Sequence, residues 1–357
     1  MNEDEKQLFG QRLKALREMR GLSQADLAAR MKEIGGAITP QAIYKYEKGK
    51  MSPDSNVLIL LAEALGTDPG AFLRRVGVKV EGLAFRKKST LSAKNQKALV
   101  MAVTEAVEHY AEIEDILGLD EKFDKSPFTM SVVTLDDAKA VARLLRKEWN
   151  LGEDGIARLI PLVEEHHVRV IEIEGEEKFD GLSGTAGEMP IVIVKKGEKT
   201  ERKRFTILHE AGHLILNIPE DMEDKGKEKL CNQFANEVLL PESVMRERLG
   251  DSGNKVLSVQ ELIELQKQYG ISIDAMVYKL HEMGVLNDRR YSNYFIKKKS
   301  SKAYKDLVEM SRIEEDYSNR FECLVYKAHA MNLISLSKAA ELLGKPQEEI
   351  IENAIYL

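Results

Sequence analysis

Apolar residues recur at helical spacing through the first 70 residues, in short runs that turn and cap residues separate. One apolar stripe predicts a first helix, which ends at Gly21: Leu8, Phe9, Leu13, Leu16 and Met19. Ser23 is a candidate N-cap for a second helix that runs to about Lys32. The pair Thr39-Pro40 combines an N-cap with a proline at the first helical position, and a fourth helix follows near Pro53. The pattern predicts a small all-α bundle.

The next 44 residues, 80–123, carry one long helical pattern. Its apolar stripe consists of Leu99, Val103, Val107, Tyr110, Ile113 and Leu117. No motif in this segment has a recognisable chemistry. We interpret it as a connector that either joins the first bundle to the rest of the chain or pairs with its copy in a dimer.

The pattern changes period in the middle of the chain. Residues 136–149 and 155–166 read as amphipathic helices, whereas 168–174 alternates like a half-buried strand. The glycines of 179–187 indicate a turn or a bent strand. Residues 190–196 form a further strand whose leading proline favours an edge position. A helix then follows, so the order predicts an α+β domain with a small sheet.

The last third of the chain is helical. Residues 255–285 continue the α+β domain, and a polar, basic break at 297–302 precedes further helices. Residues 335–354 predict a helix, a turn and a helix, which either pack on their neighbours or echo half of a DNA-binding motif. We therefore divide the chain into residues 1–78, 79–127, 128–290 and 291–357.

Composition limits the class of protein. With 43% hydrophobic and 31% charged residues, the chain has the balance of a soluble globular protein, and no apolar run approaches the length of a membrane span. The charged N-terminus does not resemble a signal peptide. Two cysteines, Cys231 and Cys323, in 357 residues favour a reducing cytoplasm over a disulfide scaffold.

The net charge of −6 is unevenly distributed. Residues 1–90 hold 16 Lys and Arg against 11 Asp and Glu, whereas the remainder holds 37 against 48. A basic end on an acidic body favours contact between that end and a polyanion, although a charged end is often only a solvated surface.

Two histidines lie four residues apart in the apolar helix FTILHEAGHLILN. Residues at this spacing share a helix face, so His209 and His213 can direct both imidazoles at one Zn²⁺ ion. Glu210 is rotated about 100° away and can take the proton of a water beside the ion. The alternative is a pair of satisfied core histidines, but burying these polar groups without partners costs several kcal/mol.

The segment RFTILHEAGH, followed by EKLCNQFANEVLLP, resembles the ImmA/IrrE family of bacterial zinc metallopeptidases. The resemblance covers about residues 135–285, and it implies a zincin-like α+β domain in which Glu228 is the third zinc ligand. Glu237 is the rival ligand, and nine helical residues place it on the opposite face from Glu228. Cys231, one turn along, is either a switch ligand or a buried small residue.

The N-terminal bundle resembles the Cro/repressor-type (XRE) helix-turn-helix family through Gln24, Leu27 and Ala28, and through Ile43, Glu47 and Gly49. The link between its second and third helices, KEIGGAI, is longer than the usual tight turn. The resemblance implies that the third helix enters the major groove of double-stranded operator DNA, usually as a homodimer. It also implies that Gln41 and Lys45 contact bases, and that Gln24, Lys48 and Lys50 contact phosphates. For each lysine the alternative is an ordinary solvated charge.

Together these features predict a multidomain fold: an all-α helix-turn-helix bundle, an α+β zincin-like domain and a helical C-terminal region. The two resemblances imply a DNA-binding regulator fused to a zinc-dependent endopeptidase that cleaves a repressor or antitoxin in a stress or phage response. The alternatives are a transcription factor or an antitoxin whose zinc domain senses a ligand or partner without cutting.

Overall fold

The computed structural model describes residues 3–67, 69–72, 80–81, 93–119, 121–174, 179–186, 188–250 and 257–353. These residues form two compact units. One unit combines Met1–Lys79 with Ser92–Ala102, and the other combines Val80–Leu91 with Val103–Leu357.

The first unit is a helical bundle. Its helices are α1 (Glu3–Met19), α2 (Gln24–Glu33), α3 (Pro40–Glu47) and α4 (Ser55–Leu65), followed by a 3₁₀ turn at Pro69–Phe72. Ser23 and Thr39 cap α2 and α3 through their side chains, as predicted. The fourth helix begins two residues later than Pro53, because the Asp54 carboxylate accepts from the Val57 amide. The fully buried core comprises Phe9, Leu13, Leu27, Met31, Ile43, Leu61 and Phe72.

The second unit places a small sheet among many helices. Its elements before the C-terminal region are α5 (Ala93–Ile116, which begins in the first unit), β1 (Val80–Glu81), α6 (Leu135–Glu148), α7 (Leu159–Glu165), β2 (Arg169–Ile173), β3 (Gly181–Ala186), β4 (Met189–Lys195), α8 (Thr200–Ile215), α9 (Asp224–Leu239), α10 (Glu242–Leu249), α11 (Val259–Tyr269) and α12 (Ile273–Glu282). The C-terminal helices are α13 (Asp288–Ser300), α14 (Lys302–Glu309), α15 (Arg320–Ala330), α16 (Leu336–Leu343) and α17 (Gln347–Asn353). No described helix combines the length and apolar character needed to cross a bilayer.

The strands are ordered β1-β3-β4-β2. β4 pairs with β3 in antiparallel and with β2 in parallel orientation, so the prediction of an edge strand at 190–196 is wrong. The run Pro190–Val194 is buried throughout, which is the pattern of an interior strand. Pro190 is tolerated because it stands near the start of the strand.

The outer side of β3 is only partly covered. β1 pairs with β3 at Thr185 and Ala186 alone. Among the described residues, no strand hydrogen-bonds to the outer side of 181–184. Within the part of the chain that the structure describes, this stretch therefore has a strand partner only on its β4 side, and α8 packs against both β3 and β4.

The predicted helical pattern of 80–123 corresponds to α5, which ends at Ile116, whereas residues 80 and 81 form β1 and residues 82–92 lie outside the described residues. Tyr110 and Ile113 of α5 join a core with residues of α15 and α16, and Ile350 of α17 completes that core. Glu114 forms a buried ion pair with Arg169 of β2 at 2.9 Å. The end of α5 is thus built into the second unit, and α16 and α17 pack on their neighbours.

An extended segment, residues 310–318, leads from α14 to α15, and we name it the strap. Its Asp316 carboxylate accepts from the Leu159 amide at 2.6 Å and pairs with Arg204 of α8 at 3.1 Å. Lys203 of α8 donates to the Asp316 carbonyl oxygen at 3.0 Å. The strap thereby fixes the first half of α8.

Candidate metal centre and DNA-binding face

Helices α8 and α9 approach each other closely at Gly212. A Cβ atom at this position would lie 3.2 Å from the Phe234 ring and 3.4 Å from the Cys231 backbone. Even a methyl group there would require the Phe234 ring to shift by a few tenths of an ångström. Gly212 therefore brings the imidazoles of α8 within reach of polar groups on α9.

Three side chains converge between the two helices. The Nε2 atoms of His209 and His213 lie 3.2 Å apart. Glu228 of α9 places Oε2 3.3 Å from Nε2 of His209 and Oε1 3.6 Å from Nε2 of His213. The ligand atoms of all three residues lie within 4.8 Å of one another, which is compatible with a single metal ion.

The other ring nitrogens of the two histidines face α9. Nδ1 of His209 lies 2.8 Å from the side-chain amide oxygen Oδ1 of Asn232, and Nδ1 of His213 lies 3.0 Å from the Cys231 sulfur. Because a carbonyl oxygen only accepts, Nδ1 of His209 must donate, which leaves a lone pair on Nε2 when the ring is neutral. If His213 likewise donates to sulfur, lone pairs of two imidazoles and one carboxylate face a common point. This donor set fits Zn²⁺, which takes His and Glu ligands in three-ligand sites.

Glu210 follows His209 in α8, and its carboxylate is bonded to the sheet. Its Oε2 accepts a hydrogen bond of 2.6 Å from the Ser183 hydroxyl on β3. This contact links α8 directly to β3. Sequence reasoning missed Ser183, since only the fold brings β3 next to α8.

Glu237, the alternative ligand, lies elsewhere. It is buried and pairs with Lys279 of α12 at 2.6 Å, with Arg143 at 3.6 Å from its other oxygen. Burial lowers the pKa of Lys279, and Glu237 opposes that shift. Glu237 is thus held in an ion pair between helices, whereas Glu228 faces the histidines. Cys231 is buried and is not in a disulfide.

The predicted DNA contacts of α3 lie on its exposed side. Gln41, Lys45, Lys48 and Lys50 are all exposed. Tyr44 lies among them with 45% of its surface exposed, and Nζ of Lys48 is 6.0 Å from its ring. Sequence reasoning overlooked Tyr44, although its spacing of three residues from Gln41 and four from Lys48 places it on the same face.

Gln24 has an internal partner. Its amide donates to Glu47 at 2.7 Å, and Glu47 also accepts a forked pair of hydrogen bonds from Arg17. The network ties α1, α2 and α3 together. The loop between α2 and α3 runs from Ile34 to Thr39, in keeping with the long link seen in the sequence.

Two family models match parts of this chain. Residues 13–72 match the helix-turn-helix family model, and residues 163–281 match the model of the IrrE N-terminal-like domain. The chain carries a helix-turn-helix domain followed by an IrrE-like metallopeptidase domain. The converging histidines and Glu228 all lie inside the second match.

One curated relative is the radiation response metalloprotease IrrE of Deinococcus radiodurans. The two sequences are 30% identical over an alignment of 175 residues, and the match covers 44% of this chain and 51% of that protein. The chain thus spans about half the length of this relative.

Two solved structures align with this chain over most of its length. They are the apo forms of the competence regulator ComR from Streptococcus vestibularis and of ComR from S. thermophilus. Each is 12% identical to this chain, with a TM-score of 0.18. The S. vestibularis match covers 91% of this chain and 98% of that chain, and the S. thermophilus match covers 97% of both. A TM-score this low carries no argument about the fold or function of this chain.

Proposed function

We propose that this protein is a DNA-binding regulator whose second unit is a zinc-dependent endopeptidase that cleaves a regulatory protein. The observation that carries the proposal is the convergence of His209, His213 and Glu228, together with Glu210, which follows His209 in α8 and is bonded to Ser183. In this proposal the three residues hold Zn²⁺. Zinc would supply Lewis acidity that polarises a peptide carbonyl and lowers the pKa of the attacking water.

Glu210 would act as the general base. Its Oε2 is engaged by Ser183, so Oε1 is the oxygen that accepts the proton of the attacking water. The same oxygen then returns a proton to the leaving amine. Asn232 and Cys231 would hold the two imidazoles in the orientation that directs Nε2 at the ion.

The substrate would bind as an added strand on the outer side of 181–184. A peptide there gains main-chain hydrogen bonds from β3 and passes close to Glu210. The strand at 190–196 cannot take this role, because β2 and β3 pair with it on both sides. The natural substrate in this proposal is a repressor- or antitoxin-like protein in an extended conformation.

The cleavage test uses the full-length chain loaded with Zn²⁺ and a repressor encoded beside its gene. We expect wild type to cleave the repressor, and Glu210→Gln to retain zinc but lose about 10²–10⁴-fold in rate. Glu220→Gln changes an exposed glutamate beyond the end of α8 and serves as the matched control. Equal cleavage by wild type and Glu210→Gln would contradict the proposed hydrolysis, and a non-proteolytic sensor would then take its place.

The first unit would bind operator DNA as a homodimer, with α3 in the major groove of each half-site. If Gln41 contacts a base, Gln41→Ala should reduce the magnitude of the binding free energy by about 1–3 kcal/mol and relax the specificity for that base pair. Lys48→Ala should weaken binding to all sequences alike and reduce the salt slope by about 1. Titration of selected operators at several salt concentrations separates these effects, and unchanged binding by both variants would contradict the DNA-contact assignment.

A further inference from the structure

We propose that Ser183 is a positioning residue for Glu210, and this inference rests on the proposed endopeptidase function. Its hydroxyl donates to Oε2 of Glu210 at 2.6 Å, from a strand that is far from α8 in sequence. The contact selects one carboxylate oxygen for the hydrogen bond and leaves the other for proton transfer.

Strand β3 is shaped for this contact. A Cβ atom at Gly181 would lie 2.5 Å from the Thr206 methyl group and 3.3 Å from Cγ of Glu210. Residues two apart on a strand share a face, so Gly181 and Ser183 both face α8. Gly181 thus permits the close approach that brings the hydroxyl of Ser183 to Glu210.

The hydrogen bond restricts a flexible side chain. Glutamate loses rotamer freedom when it is held in one arrangement, and a hydroxyl bonded to an ionised carboxylate is among the shorter and stronger hydrogen bonds. Without Ser183, Glu210 would sample other rotamers and spend less time beside the attacking water. Misplacement of a reacting group by about 1 Å is enough to slow an enzyme greatly.

The same bond also ties β3 to α8, and β3 is the proposed edge for the substrate. A purely structural tie and a positioning role differ in which kinetic constant they affect. Loss of the tie would disturb substrate binding and raise KM. Loss of positioning would lower kcat and leave KM unchanged, because Glu210 acts only after the peptide is bound.

The experiment compares Ser183→Ala, Ser183→Thr and Thr185→Val in the full-length chain loaded with Zn²⁺. Thr185→Val is the matched control, because it removes a hydroxyl from the same strand two residues away. The probe is a mixture of internally quenched peptides of randomised sequence. We expect Ser183→Ala to lose about tenfold in kcat with unchanged KM and zinc content, while Ser183→Thr and Thr185→Val remain within about twofold of wild type. A raised KM with unchanged kcat in Ser183→Ala would overturn the inference.

Glu210→Gln separates the two proposals. If this variant cleaves as fast as wild type, the proposed endopeptidase function is wrong. If it is inactive while Ser183→Ala matches wild type, only the role of Ser183 is wrong. Combining both substitutions should give no further loss beyond Glu210→Gln alone, since Ser183 acts through Glu210.

A measurement without turnover tests the hydrogen bond itself. The infrared carboxylate band that Glu210→Gln removes belongs to Glu210, and Ser183→Ala should shift that band by releasing Oε2. The band should stay in place in Thr185→Val. An unmoved band in Ser183→Ala would overturn the inference even if no peptide in the mixture is cleaved.

Discussion

Helix α8 buries polar side chains in both of its halves, but the two halves satisfy them differently. In the first half, Lys203 pairs with Glu172 at 2.6 Å and Arg204 pairs with Asp316 at 3.1 Å. In the second half, His209 and His213 face each other and the carboxylate of Glu228. Opposite charges meet in the first half, whereas groups with lone pairs meet in the second.

This difference distinguishes a structural ion-pair network from a candidate metal-binding site. A buried cation with a carboxylate partner has its charge compensated within the chain. Two neutral imidazoles and a carboxylate instead need a proton or a metal ion between them, because lone pairs repel. The same helix therefore uses its first half to anchor itself to the strap and its second half to hold the candidate metal centre.

The largest expected effect lies in the first half. Asp316→Asn removes the charge that faces Arg204 and leaves a buried guanidinium without its counterion. We expect a loss of about 3–5 kcal/mol in the free energy of unfolding, measured by urea denaturation. Glu315→Ala, at an exposed neighbour in the strap, should change this value by less than about 1 kcal/mol. Equal effects of the two substitutions would show that the strap does not anchor α8.

A second prediction uses the pH dependence of the strap contacts. Burial raises the pKa of Glu164 to about 7 from its usual value of 4.5, against a hydrogen bond of 2.6 Å from Ser318. Since the folded state then binds this proton more tightly than the unfolded state, Glu164 destabilises the fold as pH rises from about 4.5 to 7. A shift of this size corresponds to about 3 kcal/mol.

Glu164→Gln removes this ionisation. The free energy of unfolding of the variant should therefore depend less on pH between pH 5 and pH 8 than that of wild type. The free energies of unfolding of wild type and variant are compared at both pH values. Glu165→Gln, at the exposed neighbouring position, is the control and should retain the wild-type slope. A wild-type slope in Glu164→Gln would contradict the assignment.

The smallest of these effects tests the second half. Asn232→Ala removes the acceptor that orients the His209 ring, so zinc affinity should fall by about 10–100-fold with little change in folding. Competition with a chromophoric chelator measures the affinity. Asn236→Ala, one turn further along α9, should bind zinc like wild type. An unchanged affinity in Asn232→Ala would mean that this hydrogen bond does not orient the ring.

Much of the metal centre could be predicted from the sequence because it depends on local helix geometry. The spacing of His209 and His213 places both on one face of α8. Glu228 and Glu237 are nine residues apart, so they lie on opposite faces of α9. Helix periodicity alone does not determine which glutamate meets α8. That choice depends on the close approach of α9 at Gly212, a contact between segments distant in sequence.

Apart from Tyr44, whose face follows from local helix spacing, the features that sequence reasoning missed are non-local. Ser183 reaches Glu210 only because β3 lies beside α8, and Pro190 suggested an edge strand although β2 and β3 enclose β4. The strap has no periodic pattern, so nothing in its sequence indicated that Asp316 binds Arg204. In contrast, the caps of α2 and α3 were predictable because each depends on residues three positions apart.

The most direct test of the metal centre is the zinc content of the purified full-length chain after equilibration with Zn²⁺ and removal of free ions. Wild type and Glu210→Gln should each hold one zinc ion per chain, and Glu228→Gln should lose it while remaining folded by circular dichroism. Zinc bound by Glu228→Gln as tightly as by wild type, or no zinc in wild type, would contradict the central claim that α8 and α9 hold a metal ion between them.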